Sequence, residues 1–76
     1  MSAFVQLTLL ERAVLDFERE WKGKVGAKET QIREQMGISA TRYYQMLNAL
    51  LSDERALAVY PSLIYRLRHQ VEARRR

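Results

Sequence analysis

The sequence contains no cysteine, one proline and three glycines among its 76 residues. Without cysteine the chain has no disulfide framework, no thiolate nucleophile and no cysteine-based zinc site. Proline and glycine are too scarce for a loop-rich or sandwich fold. A chain of this length forms one domain at most. We expect a single domain over residues 1–76, with its core over residues 8–71 and a basic C-terminal tail at residues 72–76.

Long apolar runs are also missing. The longest covers residues 56–60, far below the roughly 20 residues of a membrane-spanning helix. The N-terminus carries neither a basic region nor a long apolar stretch, so a secretory signal is not expected. Together with the absence of cysteine, this predicts a cytoplasmic protein that has no membrane partner.

Residues that carry enzyme chemistry are scarce. His69 is the only histidine, and the partners of a metal site or a nucleophilic triad are absent around it. The sequence has no glycine-rich phosphate loop. The carboxylates of the first helix are interpreted as solvated; they are Glu11, Asp16, Glu18 and Glu20. We expect a protein that is not an enzyme and has neither a cofactor nor a bound metal.

The charges are unevenly distributed along a chain of net charge +4. Residues 1–21 hold four acidic and two basic residues, whereas residues 62–76 hold five arginines and one glutamate. Residues 22–51 are also basic on balance. A polyanion would therefore be met by the middle of the chain and by its tail.

Apolar residues recur at helical spacing through most of the chain, and caps and breaks divide them into helices. A capping box at Thr8 and Glu11 opens a helix predicted over residues 9–22. Its apolar stripe is Leu10, Ala13, Val14, Phe17 and Trp21. Glycines at 23 and 26 separate it from a second helix over residues 27–36, which Gly37 ends.

Ser39 then caps a third helix over residues 40–51. The apolar side of this helix is formed by Tyr43, Met46, Leu47 and Leu50.

The rest of the chain also indicates helices. A short helix is predicted over residues 55–59, and Pro61 starts a last one. The last helix carries an apolar stripe, made of Leu63, Ile64, Leu67 and Val71. No run of period two is long enough for a strand. The predicted fold class is all-α, a compact domain of four to five helices that contains a helix-turn-helix.

Residues 29–48 fit a helix-turn-helix, in which two short helices meet across a turn that contains glycine. The apolar positions of that pattern are filled by Ile32, Met36, Ile38, Tyr43 and Met46. A small residue is usual four positions before the glycine, but Arg33 stands there. This departure predicts either a wider helix crossing or an arginine that points outward. The alternative is an ordinary helical bundle with a glycine-ended helix.

The exposed face of the third helix favours DNA binding. No acidic residue lies between Gly37 and Leu51. Amides and hydroxyls can form hydrogen bonds with base edges in the major groove. The predicted DNA-binding residues are Ser39, Ala40, Thr41, Arg42, Tyr44, Gln45 and Asn48. Three of them have a structural alternative. Ser39 could act only as a helix cap, and Asn48 could only face water. A rotated helix would place Tyr44 in the core and expose Tyr43.

Further residues are predicted to contact phosphate from outside this helix. Thr30 and Gln31 lie near the start of the second helix, and Lys28 precedes them. Arg66 and Arg68 belong to the last helix, where cations are also favoured by the helix dipole alone. The sequence leaves open whether these cations contact DNA or only water.

Four segments resemble one known family. They are residues 37–50, which read GISATRYYQMLNAL, residues 11–18, residues 26–29 and residues 67–68. Together they make the chain similar to a small actinobacterial family of unknown function that is described as helix-turn-helix-like. The resemblance implies a helix-turn-helix fold and binding to DNA, but it does not indicate which DNA sequence is bound. Similar sequences carry an acidic residue where Tyr60 precedes the proline here.

We expect a sequence-specific, double-stranded DNA-binding helix-turn-helix protein that regulates transcription. Specific binding by so small a module suggests either a homodimer or help from another protein. The last helix's apolar stripe or that of the first helix could supply a dimer face. One alternative is a protein-interaction module that docks on RNA polymerase or another regulator through the acidic first helix and Tyr43 and Tyr44. Another is a small RNA- or ribosome-associated protein anchored by its basic tail.

Overall fold

The structure is a computed structural model that describes residues 6–23 and 25–74, with Val25 and Arg74 described by their backbone. These residues form five helices and no strand, so the all-α prediction is confirmed. The helices are α1 (Leu9–Glu20), α2 (Val25–Met36), α3 (Ala40–Leu50), α4 (Glu54–Val59) and α5 (Pro61–Arg74). Residues 75 and 76 of the predicted basic tail lie outside the described residues.

Helix α1 begins at the predicted capping box. The Thr8 hydroxyl accepts from the Glu11 amide at 3.0 Å, and the Glu11 carboxylate accepts from the Thr8 amide at 2.8 Å. The helix ends at Glu20 because Trp21 adopts an extended conformation. Val14 and Leu15 are fully buried, although only Val14 belonged to the predicted apolar stripe. Leu15 is buried because α1 packs against the rest of the chain over more than one narrow face.

Helix α2 begins at Val25, two residues earlier than predicted, so that Gly26 lies in its first turn. The amides of a first turn have no partner within the helix, which makes glycine less harmful there than in an interior. Gly37 ends the helix with a φ of 70°, in the left-handed region that glycine adopts without strain. Its amide donates to the Arg33 carbonyl at 2.9 Å. The Arg33 side chain is exposed, so the second of the two alternatives for this position, an arginine that points outward, is the one observed.

Helix α3 packs on α1 and α2 through its apolar side. Ser39 caps it as predicted, accepting from the Arg42 amide at 3.1 Å. Tyr43, Leu47 and Leu50 are buried, so Tyr43 is the core tyrosine of the pair and the rotated alternative is wrong. The order of α2, a glycine turn and α3 is compatible with a helix-turn-helix.

Helices α4 and α5 close the core from the other side. Asp53 caps α4 by accepting from the Arg55 amide at 2.9 Å, and the Arg55 guanidinium also reaches Glu11 at 3.2 Å. This bridge joins α4 to the start of α1.

The apolar stripe of α5 packs into the protein's own core. Leu63, Ile64 and Leu67 are buried there, and Val71 is half-buried. The expectation that this stripe forms a dimer face is therefore corrected, because its side chains are already covered within one chain. The buried residues named so far are joined in one core by Leu7, Ile32, Ala56 and Tyr60.

Among the described residues, no helix has both the length and the apolar character needed to cross a membrane. Within the same residues, no three histidine or acidic side chains are grouped so that they could hold a metal ion.

Replacing Gly37 with alanine should destabilise the fold. A Cβ there would meet no atom within 4 Å, so the cost comes from the left-handed backbone alone, about 1–2 kcal/mol. Gly26→Ala is the matched control, because its Cβ also meets nothing and its φ is ordinary. That control should instead leave stability unchanged or raise it, by less than the about 0.5–1 kcal/mol that applies to a helix interior, because Gly26 lies in the first turn. Urea unfolding of both variants measures the difference, and equal stabilities would contradict this role of Gly37.

Candidate nucleic-acid interface

The outer side of α3 carries a row of exposed polar side chains. Thr41, Arg42, Gln45 and Asn48 are exposed on the side opposite to the core residues of this helix. Ser39 is exposed just before the helix. These five residues are called the polar ridge. Their spacing follows the helical repeat, so they point to one side of the molecule.

The polar ridge is free of negative charge. It contains no carboxylate, and the first turn of α3 has no acidic residue. Within α3 itself, no carboxylate therefore offsets the partial positive charge of the helix N-terminus. Because the Ser39 oxygen accepts from the Arg42 amide, its hydroxyl proton stays available as a donor. An anion that approaches this end of α3 meets a hydroxyl and a guanidinium.

Two predicted contact residues of α3 are less exposed than expected. Tyr44 is half-buried, with its ring edge-on to Tyr43 at 5.1 Å between ring centres. Ala40 is also half-buried, beside a groove of about 260 Å³ that Thr30 and Arg33 help to line. The expectation of a fully exposed Tyr44 is corrected, because its ring packs against the core.

Lys28 is in a different place from the one its predicted role requires. Its ammonium forms an ion pair with Glu18 at 2.9 Å, and the two side chains are only 12% and 13% exposed. The ammonium also lies over the rings of Tyr43 and Tyr44, at 5.8 and 5.5 Å from their centres. This corrects the expectation of Lys28 as a phosphate contact, because its charge is already neutralised inside the fold.

The other predicted contacts on α2 differ in availability. Thr30 is exposed, whereas Gln31 is half-buried and its side-chain oxygen accepts from Gln35 at 2.8 Å. Arg33 is exposed next to Thr30 and Ala40. It was not among the predicted contacts, although its unusual place in the helix-turn-helix pattern was a signal. Glu29 and Glu34 line the same groove, so its lining holds two carboxylates against the one guanidinium of Arg33.

The C-terminal end of the polar ridge adjoins α5. Arg68 donates through Nε to the Leu51 carbonyl at 2.7 Å, and its guanidinium lies 6.0 Å from the centre of the Tyr65 ring. A groove next to it is lined by Asn48, among others, so Arg68 lies near the last residue of the polar ridge. Arg66 is exposed on the same helix. Cations therefore lie beside both ends of α3.

A buried hydrogen-bond network holds α3 in its orientation. The Tyr43 hydroxyl donates to the Glu18 carboxylate at 2.6 Å, and the Val14 carbonyl lies 3.5 Å away. Lys28 joins the network through the same Glu18 oxygen. Burial, followed by the hydrogen bond with Glu18, raises the pKa of Tyr43 well above its ordinary value of 10.0. The carboxylates expected to be solvated thus include one that anchors the core.

A second tyrosine is anchored in the same way. The Tyr60 hydroxyl donates to Asp16 at 2.7 Å, and the Arg19 guanidinium lies 5.4 Å from the centre of its ring. Burial and this hydrogen bond raise the pKa of Tyr60. Neither carboxylate was assigned a structural role from the sequence, because each partner is distant along the chain.

Comparison with known proteins gives one match. The model of the family described as "Protein of unknown function (DUF3263)" matches residues 6–76. No curated protein and no solved structure matches the chain.

Replacing Tyr43 with phenylalanine should lower stability at neutral pH and weaken its pH dependence. The variant loses a hydrogen bond to a charged group, which contributes about 1.5–3 kcal/mol. Because folding raises the pKa of Tyr43, its contribution is fully present below pH 10.0 and declines as the pH rises above that value. Urea unfolding between about pH 8 and about pH 11 measures both effects.

The unfolding free energy of the parent chain should fall more steeply over this range than that of Tyr43→Phe. Tyr60→Phe serves as the second, independent case, since the pKa of Tyr60 is raised by the same causes. Equal slopes for the parent and Tyr43→Phe would show that the Tyr43 proton does not contribute to stability.

Proposed function

The chain belongs to the DUF3263 family, whose function is unknown, and from its own residues we propose a sequence-specific, double-stranded DNA-binding helix-turn-helix protein. In this proposal α3 is the recognition helix, and the protein regulates transcription. The observation that carries the proposal is the polar ridge: a fully outward row of hydroxyls, amides and one guanidinium, with no carboxylate.

The dimensions of α3 suit a duplex. A helix with its side chains is about 10–12 Å wide, close to the width of the major groove, about 12 Å. Recognition helices enter that groove with their N-terminal residues nearest the bases. The N-terminus of α3 is exposed and carries Ser39, Thr41 and Arg42. A surface intended only for solvent would normally carry acidic residues as well.

Each side chain of the polar ridge has a role in this arrangement. Gln45 and Asn48 would pair with the N6 and N7 atoms of adenine. The Thr41 methyl group would contact a thymine methyl, and Arg42 would bind a phosphate or a guanine. The Ser39 hydroxyl would donate a hydrogen bond to a phosphate oxygen. Ala40 and Tyr44 are half-buried, so only their exposed atoms would contact the DNA.

Phosphate contacts beside α3 would fix its register in the groove. Thr30 and Arg33 are exposed near the N-terminal end of the helix. Arg68 is held at the C-terminal end. Arg66 is exposed two residues earlier on α5, so it points to a different side of that helix and is left out. Gln31 would contribute only through its amide nitrogen, since its oxygen accepts from Gln35. Lys28 is left out because of its ion pair with Glu18.

Replacing Gln45 with alanine should remove discrimination at one base pair. The expected loss is about 1–3 kcal/mol for the preferred base, with little change for other sequences. Duplexes selected from a random pool and then varied one position at a time would measure it. Gln70→Ala is the matched control, because Gln70 is exposed on another helix. If Gln45→Ala keeps the parent's base preferences, the polar ridge does not read sequence.

Replacing Arg68 with alanine should weaken binding to all duplexes alike. Loss of one phosphate contact reduces the slope of log affinity against log salt by about 1. Gel shifts over a salt series measure the slope, with Arg12→Ala as the control, because Arg12 is exposed on α1. An unchanged slope in a folded Arg68→Ala variant would exclude Arg68 from the contacts with phosphate.

The same gel shifts test the proposal as a whole. Single-stranded RNA is the competitor, because the sequence also allows an RNA-associated protein. Preference for RNA over duplex DNA, or no duplex binding at low salt, would overturn the proposal. The second result would favour docking on another protein.

A further inference from the structure

A groove of about 430 Å³ lies between the second half of α1 and the last turn of α2. Its apolar lining comes from Ala13, Phe17, Trp21 and Met36, and its polar lining from Asp16, Glu20 and Gln35. None of these residues belongs to the polar ridge, so the groove is a second surface. Binding of a partner in this groove would not depend on DNA binding by α3.

The aromatic side of the groove is held in place by the core. The Phe17 and Trp21 rings are stacked, with centres 5.4 Å apart, and Phe17 meets buried Tyr43 edge-on at 5.8 Å. The loop after α1 passes close to the indole: a Cβ at Gly23 would lie 2.6 Å from the Trp21 ring. Trp21 nevertheless remains half-exposed. An aromatic surface fixed in this way is ready to receive a flat or apolar group.

The rim of the groove is acidic. Its lining contains two carboxylates and no cation. The nearest described cation is Arg19, which contacts Asp16 at 3.2 Å and Glu20 at 3.4 Å while its guanidinium lies over Tyr60. One guanidinium therefore serves two carboxylates, and the rim keeps negative charge. Glu20 is 70% exposed and available to another partner.

Acidic groups beside a partly exposed indole have the chemistry that binds arginine. The guanidinium stacks on an aromatic face, forms paired hydrogen bonds with a carboxylate, and rests its apolar stem on neighbouring side chains. Within this sequence, the segment rich in arginine is the C-terminal run at residues 74–76. The charges of this run and of the groove are complementary.

The groove and the last described turn of α5 lie at opposite ends of α3. Val71 and Glu72 of α5 lie beside Leu51 and Ser52, at the C-terminal end of α3. The groove is lined by Gln35 and Met36, which precede the N-terminal end of α3. A second copy can bring its arginine run to this groove directly, without spanning the length of α3.

We propose that the groove between α1 and α2 binds the C-terminal arginines of a second copy of this chain. In a reciprocal dimer each copy gives its arginine run to the other and receives one in return. Both polar ridges remain uncovered by this contact. The dimer forms without the α5 stripe, which is buried inside each copy.

Sedimentation equilibrium of the full chain tests the proposal. The parent should form dimers at about 50 mM salt that dissociate at about 500 mM, since the contact depends on exposed charges. Glu20→Lys should weaken dimerisation at least about tenfold, because it places like charges together. The triple change R74E, R75E and R76E should weaken it by a similar factor. Both sets of changes in one chain should restore dimerisation, because the charges are again opposite.

Two further measurements make the outcome decisive. Glu34→Lys is the control of matched charge: Glu34 is exposed on α2 outside this groove, so this variant should dimerise like the parent. Trp21 is the chain's one tryptophan. Its fluorescence should shift to shorter wavelength when the parent dimerises, but not when Glu20→Lys is concentrated. Circular dichroism confirms that each variant is folded.

Three results would overturn the proposal. The first is a parent chain that stays monomeric at low salt at every concentration tested. The second is dimerisation that neither Glu20→Lys nor the triple change weakens, or that Glu34→Lys weakens as much. The third is a free arginine peptide that shields Trp21 while the chain itself stays monomeric, which would assign the groove to another basic protein.

Discussion

The burial of Tyr43 is the interaction on which the rest of the structure depends. Its ring is enclosed by the core, and its hydroxyl ends on Glu18, which also binds Lys28. One side chain of α3 is thereby tied to α1 and α2. A domain of this size has few such contacts, since its core is small. Rotation of α3 would expose this ring and leave Glu18 without its hydroxyl donor, so the outward side of the helix is determined from within.

Features set by neighbouring residues could be predicted from the sequence. The caps at Thr8 and Ser39 and the left-handed Gly37 depend on residues at most four positions apart. Helical spacing also identified Tyr43, Leu47 and Leu50 as the buried side of α3. The positions of the polar ridge follow from that assignment, because residues not facing the core must face outward. Its binding to DNA remains a prediction.

What the sequence did not reveal depends on contacts between distant residues. The sequence indicated that Lys28 is an exposed cation, but in the fold its ammonium is paired with Glu18. Leu15 lay off the predicted stripe, yet it is fully buried. The hydrogen bond from Tyr60 to Asp16 spans 44 positions along the chain. Periodicity describes one helix at a time, so it cannot show which side chains of separate helices meet.

The side chains of α3 that the proposal assigns to DNA are separate from those that build its core. Thr41, Gln45 and Asn48 take no part in the core. Under the proposed function, a change to another polar residue at these positions would alter the bound sequence without lowering the stability of the fold. Ser39 is the exception, because its oxygen caps the helix and its loss costs about 1 kcal/mol. Evolution of a new target would therefore proceed through the three outward positions and keep a capping residue at the fourth.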